Sequence, residues 1–288
     1  MDADHGYFRT SVNSLSSRPM DRPLVVLDCE TAAPTGAPHL VELGAVRVEH
    51  GEIQDSFHAL VCPPVPIHPE SEAVHGITDD ALRRASFAAE VLPGFTEWVG
   101  RDWMAAHNAG ADTRILGFEY ARARIEPPPG PFIDSLALAC THIPDAPDHK
   151  LDTLRQHLEL EEGEGHRALT DAVHCWKVIE ECLERAGGLS AAWSSELLGR
   201  NPLTIERRQP GPPRMSPRLR PLERALAADE PVRLVYARED GAPTPIDVQP
   251  RFLFERRGKS YLEAECHSSG LLKTYLLERV RKVLSQEE

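Results

Sequence analysis

LVVLDCETAA (residues 24–33) is the stretch that decides the scaffold. Leu24 to Leu27 form a short, continuously apolar run, the pattern of a strand buried on both faces. Residues two apart on a strand share a face, so Asp28 and Glu30 leave its end side by side. Carboxylates held that way repel each other unless a cation lies between them. Taken alone, an Asp-x-Glu at a strand end reads equally as a solvated turn, and the rest of the chain has to decide.

Working outward, AAHNAGADTRIL (105–116) gives a short apolar run, a turn-rich His-Asn-Ala-Gly stretch, and Asp112 opening a helical pattern with Ile115, Leu116 and Tyr120. HRALTDAVHCW (166–176) places His166 after a Gly/Glu-rich loop and Asp171 in the opening turns of a helix over 167–185. That helix repeats Ala172, Cys175, Ile179 and Leu183 on one stripe, its core face. Strands over 24–30, 40–49, 53–61 and 103–106, a hairpin turn at His50-Gly51 and a helix near 88–100 complete an α/β sheet flanked by helices. Each polar residue keeps a plain structural reading as well: Asp112 as a helix cap, Asp171 as a favourable charge near a helix N-terminus, His166 as a loop residue.

Together these pieces resemble the DEDDh family of 3′-to-5′ exonucleases, the proofreading-subunit-like branch of the ribonuclease H-like fold, over roughly residues 22–186. HLVELGAVRVEHGEIQDSFHALVCPP (39–64) is similar to the family's second and third strands, and HGIT (75–78) to its short motif before a helix. FIDSLALA (132–139) resembles its later strand-to-helix passage, and KLDTL (150–154) the helix preceding the catalytic His. The resemblance implies a ribonuclease H-like mixed sheet flanked by helices. It implies that Asp28, Glu30, Asp112 and Asp171 hold two Mg²⁺ or Mn²⁺ ions, that His166 is the general base, and that Thr31, His107 and Asn108 contact substrate. Carboxylate oxygens suit those hard cations better than zinc, paired cations suit phosphodiester hydrolysis, and imidazole suits a base working near neutral pH. Two departures bear on substrate choice: Ala111 stands where the family commonly has an aromatic residue, and Ala32-Ala33-Pro34 follows Thr31 where Gly is usual.

The 288 residues suit two domains. No apolar run approaches the ~18 residues of a membrane span, and residues 1–21 lack the apolar core of a signal peptide, reading as a disordered tail. Cys29, Cys62, Cys140, Cys175, Cys182 and Cys266 form no CxxC pair, which argues against a zinc ribbon and suits a reducing cytoplasm. Charge divides unevenly: residues 1–186 carry 15 Lys+Arg against 31 Asp+Glu, residues 187–288 carry 17 against 14. An acidic domain cannot attract a long duplex by phosphate neutralisation alone, but it can grip a few nucleotides at a metal-filled cleft. Six prolines between 202 and 221, among seven arginines from Arg200 to Arg224, give residues 187–216 the character of an extended, basic, solvated linker, or alternatively a nucleic-acid-guiding arm.

Residues 217–288 carry another signature. PLERALAADEPVRLVYARED (221–240) is an amphipathic helix running into a strand, DVQPRFLFERRGKSYLEAEC (247–266) is two strands joined at Arg257-Gly258, and a last strand leads into YLLERVRKV (275–283). This resembles a WYL domain, a small Sm/SH3-like β-barrel, with the namesake tripeptide present as Ser260-Tyr261-Leu262 and the Trp missing. The resemblance implies a regulatory ligand or single-stranded nucleic acid bound through Arg251, Tyr261 and Arg279. The expectation is thus a cytoplasmic, metal-dependent exonuclease acting on 3′ ends of single-stranded DNA in repair or defence. The alternatives are an exoribonuclease trimming short RNA and a non-catalytic nucleotide-binding regulatory protein.

Overall fold

A computed structural model describes residues 23–160, 166–187, 202–238 and 241–285; the tail expected over 1–21 and most of the linker's first half lie outside them. The first sheet comprises β1 (Leu24–Thr31), β2 (Leu40–Glu49), β3 (Glu52–Leu60), β4 (Trp103–Ala106) and β5 (Phe132–Asp134), in the order β3-β2-β1-β4-β5. Pairings among β1, β2 and β3 are antiparallel, and β4 joins β1 and β5 in parallel, which makes the sheet mixed. The β2–β3 turn has positive φ at His50 and Gly51, the backbone of a tight hairpin.

Alternation along β1 sorts the core. Val25, Leu27 and Cys29 face α3 (Ala88–Val99) and α4 (Gly110–Ala123), packing with Leu92, Phe95, Leu116 and Tyr120. Leu24 and Val26 face the opposite layer, α5 (Ser135–His142), α6 (Leu151–His157) and α7 (Ala168–Arg185), packing with Leu138, Cys175, Trp176 and Ile179. Each fully buried Leu or Val contributes roughly 1.5–3 kcal/mol. By the same parity Asp28 and Glu30 point toward the α7 layer, and Cys29 toward α4. Two short helices, α1 (Pro69–His75) and α2 (Asp79–Leu82), cover the C-terminal end of β1.

The proline-rich segment departs from the expected solvated tether. Leu203 pairs with Phe132 at the edge of the first sheet, Ile205 is fully buried in its core, and residues Ile205–Arg208 form α8. A Cβ at Gly117 would approach the Arg208 backbone to 2.8 Å, so α8 lies directly on α4. The prolines forbid a long helix here, but the apolar Leu203 and Ile205 between them still gain more from burial than from solvation.

After α9 (Arg220–Ala228), a second, antiparallel sheet follows the order β10-β6-β7-β8-β9, from β6 (Val232–Tyr236), β7 (Thr244–Arg256), β8 (Lys259–Cys266), β9 (Leu271–Leu276) and β10 (Val280–Ser285). The end of β9 reaches β6 across the curved sheet: the Leu276 N–H donates to Tyr236 Oη (3.2 Å), and just beyond β6 the Ala237 N–H donates to the Arg279 carbonyl. Leu222, Val232, Val248, Leu262 and Val280 fill the interior of this small β-barrel. Its outer face meets α4. Phe254 packs edge-on against Phe118 (5.3 Å), and Arg122 donates from Nε and Nη2 to the two Glu263 oxygens, both at 2.8 Å.

Candidate active site

The C-terminal end of β1 gathers carboxylates from three elements. Asp28 and Glu30 arrive on β1, Asp112 in the first turn of α4 and Asp171 in the first turn of α7. Ligand atoms of Glu30, His166 and Asp171 lie within 4.8 Å of one another. Asp112 comes from the other side of the sheet, where hydrogen bonds from Cys29 hold its carboxylate.

Gly44 explains how α7 comes so close. It sits opposite Asp28 on β2, and a Cβ there would fall 2.1 Å from the Leu169 nitrogen. Only a residue without a side chain lets the helix start rest on the sheet. Glu42, fully buried and opposite Glu30, then ties that start down: it accepts the Ala168 N–H (3.0 Å), Arg167 Nη2 (2.8 Å) and a His58 ring contact (2.8 Å). Burial alone would raise Glu42, but the hydrogen bonds from Arg167, His58 and Ala168 outweigh it and hold the carboxyl below its ordinary range. Glu42 therefore remains charged beside the cluster, and Arg167, which it anchors, is the neighbour of His166.

The cluster itself shows the opposite shift. Burial, followed by repulsion from Asp112, Glu30 and Asp171, pushes Asp28 well above the usual carboxylate range. Burial and then the charges of Asp171 and Glu42 raise Glu30 to about 8. Asp112 rises to about 7, mainly through burial, and Asp171 also rises, with His166 and His174 partly offsetting its burial. Such raised pKa values mark carboxylates whose burial and crowding outweigh the positive charge near them. An oxygen-rich donor set of this charge with one imidazole fits hard divalent cations, Mg²⁺ or Mn²⁺.

The surrounding residues have separate tasks. His166 adopts a left-handed backbone (φ 56), and its Nε2 lies 3.2 Å from Asp152 Oδ2 on α6. His75, from the HGIT motif, donates from Nε2 to the Thr31 carbonyl (3.3 Å) and accepts the Ile77 N–H at Nδ1 (3.0 Å), which fastens that motif to the end of β1. The register shift between Glu30 and Thr31 turns the chain away at the same point. Thr31 Oγ1 donates to the Ala33 carbonyl (3.3 Å), and Ala32 is buried against Ile67 and Ile77.

His107 differs from expectation. Its Nε2 donates to the His149 carbonyl (2.8 Å) and its Nδ1 pairs with Ser135 Oγ (2.8 Å), so both ring nitrogens serve the fold. Burial holds it neutral, below the ordinary imidazole range. Asn108 is exposed with a left-handed backbone (φ 61), its amide donating to Asp134 Oδ1 (3.0 Å). On the barrel, Arg251 is paired with Asp229 (3.0 Å) and Glu265 (3.1 Å), and Tyr261 stacks on Phe254 (5.4 Å) beside the interdomain seam. Arg279 lies in the corner between β9 and β10. Arg251 and Tyr261 thus make these contacts within the barrel.

Glu42, Gly44 and Asp152 were not singled out from the sequence. A Glu-Leu-Gly inside the apolar run LVELGAV was the available signal, because a charge and a glycine in a central strand each require a specific neighbour.

Comparison with known proteins follows this geometry. The family model RNase_T, described as Exonuclease, matches residues 25–179, and the WYL domain model matches 217–284. A DNA polymerase III PolC-type from Oceanobacillus iheyensis is 34% identical over 166 residues, covering 56% of this chain and 12% of that protein. One from Thermotoga maritima is 34% identical over 161 residues, covering 53% and 11%. The chain thus spans only about an eighth of the length of such relatives. Among solved structures, the nuclease domain of 3′hExo, a DEDDh family member bound to rAMP, has a TM-score of 0.51 at 19% identity, covering 57% of this chain and 92% of that one. E. coli exonuclease I in complex with a dT13 oligonucleotide has a TM-score of 0.55 at 15% identity, covering 84% and 55%. At these identities the two structures speak for the fold.

Proposed function

Because the chain belongs to the RNase_T exonuclease family and ends in a WYL domain, we propose that residues 22–186 hydrolyse phosphodiester bonds stepwise from the 3′ end of single-stranded DNA. The observation that carries this reading is the meeting of Glu30, His166 and Asp171 ligand atoms within 4.8 Å, at the strand end that also presents Asp28 and Asp112.

Asp28, Glu30, Asp112 and Asp171 would hold the cations. Divalent cations bound there supply Lewis-acid stabilisation of the charge that develops on the phosphate. His166 takes the proton from the attacking water, and Asp152 at 3.2 Å orients the ring and stabilises the imidazolium that results. Arg167, tied to buried Glu42, fixes the loop that presents His166. Asn108 and the half-buried end of β1 at Glu30 and Thr31 remain as surfaces for the terminal nucleotide. DNA is favoured over RNA by the polymerase relatives, which share about a third of the aligned residues. A purely regulatory, non-catalytic role gives no reason to keep four convergent carboxylates against their own repulsion. The WYL domain, over 217–288, adds a contact for nucleic acid or a regulatory ligand.

The test is a 5′-labelled oligonucleotide, as DNA and as RNA, with Mg²⁺, Mn²⁺ or EDTA. DNA should shorten stepwise from its 3′ end only with a cation, and Asp28→Asn should abolish shortening while the protein stays folded. Shortening in EDTA, or a near-native rate in Asp28→Asn, overturns the reading.

A further inference from the structure

Four arginines from three segments meet beside the N-terminal half of α4. Arg114 lies on α4 two residues beyond Asp112. Arg208, on α8, donates from Nη2 to the Gly110 carbonyl (3.2 Å), two residues before Asp112. Arg256 and Arg257 come from the β7–β8 hairpin tip, where Arg257 and Gly258 both have positive φ.

The register of the seam places that tip. Phe252 and Glu263 meet Arg122, and Phe254 meets Phe118. Two residues along a strand advance ~6.8 Å, close to the ~6 Å of four residues along a helix. Ascending β7 by two therefore matches descending α4 by four, and the next step sets Arg256 against Arg114. The electrostatics agree: after burial, the charges of Arg256, Arg208 and Arg257 depress the pKa of Arg114.

Gathering like charges opposes folding and association of the segments, which argues for a polyanion as the missing partner. We propose that Arg114, Arg208, Arg256 and Arg257 form a phosphate track that grips the substrate strand a few nucleotides upstream of the 3′ end held at the carboxylates. The WYL barrel then contributes to substrate grip through its hairpin tip rather than through Arg251, Tyr261 and Arg279. The proposal rests on the exonuclease reading of the first domain. Guanidinium forks match phosphate oxygens in pairs and carry no sequence information, as an enzyme trimming strands of any sequence requires. The acidic first domain supplies little such attraction itself, with 31 Asp+Glu against 15 Lys+Arg over residues 1–186.

The test is fluorescence anisotropy of 5′-labelled dT oligomers, one of three nucleotides and one of fifteen, bound to the full chain in Ca²⁺ over a salt series. The variant is Arg256→Gln with Arg257→Asn, Asn being tolerant of the left-handed backbone. Binding of the longer oligomer should weaken roughly tenfold at low salt, and the salt slope should shrink by about 1–2, as expected for losing two phosphate contacts on a single strand. The trinucleotide, too short to reach the track, should be affected far less. Arg233→Gln removes one positive charge from β6, away from the track, and should leave both quantities alone. An unchanged affinity and slope, an equal loss in Arg233→Gln, or an equal loss for the trinucleotide overturns the proposal. Because binding is read without turnover, a wild-type protein that binds through the hairpin but shortens nothing in Mn²⁺ defeats the exonuclease reading and leaves the track standing.

Discussion

The two ends of α4 carry buried charge in opposite ways. At its start, Asp112 joins Asp28, Glu30 and Asp171, carboxylates that burial and mutual repulsion push upward. Near its other end, Arg122 sits between Glu119 (2.9 Å) and Glu263 (2.8 Å) and also donates to the Pro38 carbonyl (2.6 Å). His39 lies 3.6 Å from Glu263, but burial and the Arg122 charge hold its ring neutral, so that contact is not an ion pair. Glu119 and Glu263 are 5% and 1% exposed and share one cation, Arg122, whose charge opposes the burial that raises Glu119. Satisfied buried charge fastens two domains together, whereas unsatisfied buried charge waits for a ligand. Substitutions at the two ends should therefore have opposite consequences for stability and chemistry.

The largest effect belongs to the catalytic end. His166→Ala should lower turnover of a short 5′-labelled oligonucleotide by roughly 10²–10⁴-fold, the range for losing a positioned base, with little change in melting temperature, since its side chain is 47% exposed. The acidic limb of the native pH–rate profile should vanish with it. An unchanged profile would return His166 to the role of a loop residue and remove the base from the comparison.

The seam should respond in the reverse sense. Arg122→Leu leaves Glu119 and Glu263 facing each other in a buried site, and breaking such a pair costs roughly 3–5 kcal/mol. Chemical denaturation should show that loss, while turnover of a dinucleotide per folded molecule stays near native. Adding Glu119→Gln and Glu263→Gln should recover much of the stability, because neutral partners no longer need the cation. If Arg122→Leu alone proves neutral, the seam is not held by charge and the contrast between the two ends of α4 fails.

The first cluster was legible in the sequence and the second was not, for a physical reason. Asp28 and Glu30 share a strand and His166 and Asp171 share a loop–helix junction, and the family resemblance joined these local patterns with Asp112 into one expected site. Arg122 and Glu263 are 141 positions apart, and nothing in either segment's own pattern names the other. The same limit hid Glu42, whose partners Arg167 and Ala168 lie more than a hundred residues away. It also misassigned the linker, because proline content describes what a backbone cannot do but not where Leu203 and Ile205 find their core. The fold class of both domains, read from strand and helix periodicity together with family resemblance, agrees with the structure. Tyr261 was named through the WYL resemblance, and the stacking on Phe254 from the neighbouring strand was not legible from its own segment.

The smallest predicted effect sharpens the comparison most directly, because it titrates the unsatisfied end. Glu30 stands at about 8 and Asp112 at about 7 in the metal-free fold, against ordinary values of 4.5 and 3.8. A folded-state pKa raised in this way means that the native protein holds protons the unfolded chain has released. The associated stability is complete below the unfolded pKa values and is lost as pH rises through the folded ones. Metal-free protein should therefore lose melting temperature between about pH 5 and pH 8. Glu42 runs the other way: its lowered pKa adds stability above the ordinary carboxylate range, so it cannot cause a loss on that rising limb. Partial solvent access at Glu30 tempers the effect. Mn²⁺ should flatten the curve by replacing the protons as counter-charge, and Asp28→Asn should flatten it without any cation. Among the seam variants, Arg122→Leu should steepen the curve, because Glu119 and Glu263 lose the cation that opposes their burial. A melting temperature independent of pH in EDTA would mean that the carboxylates are already compensated, and the opposition between the two ends of α4 would then have no electrostatic basis.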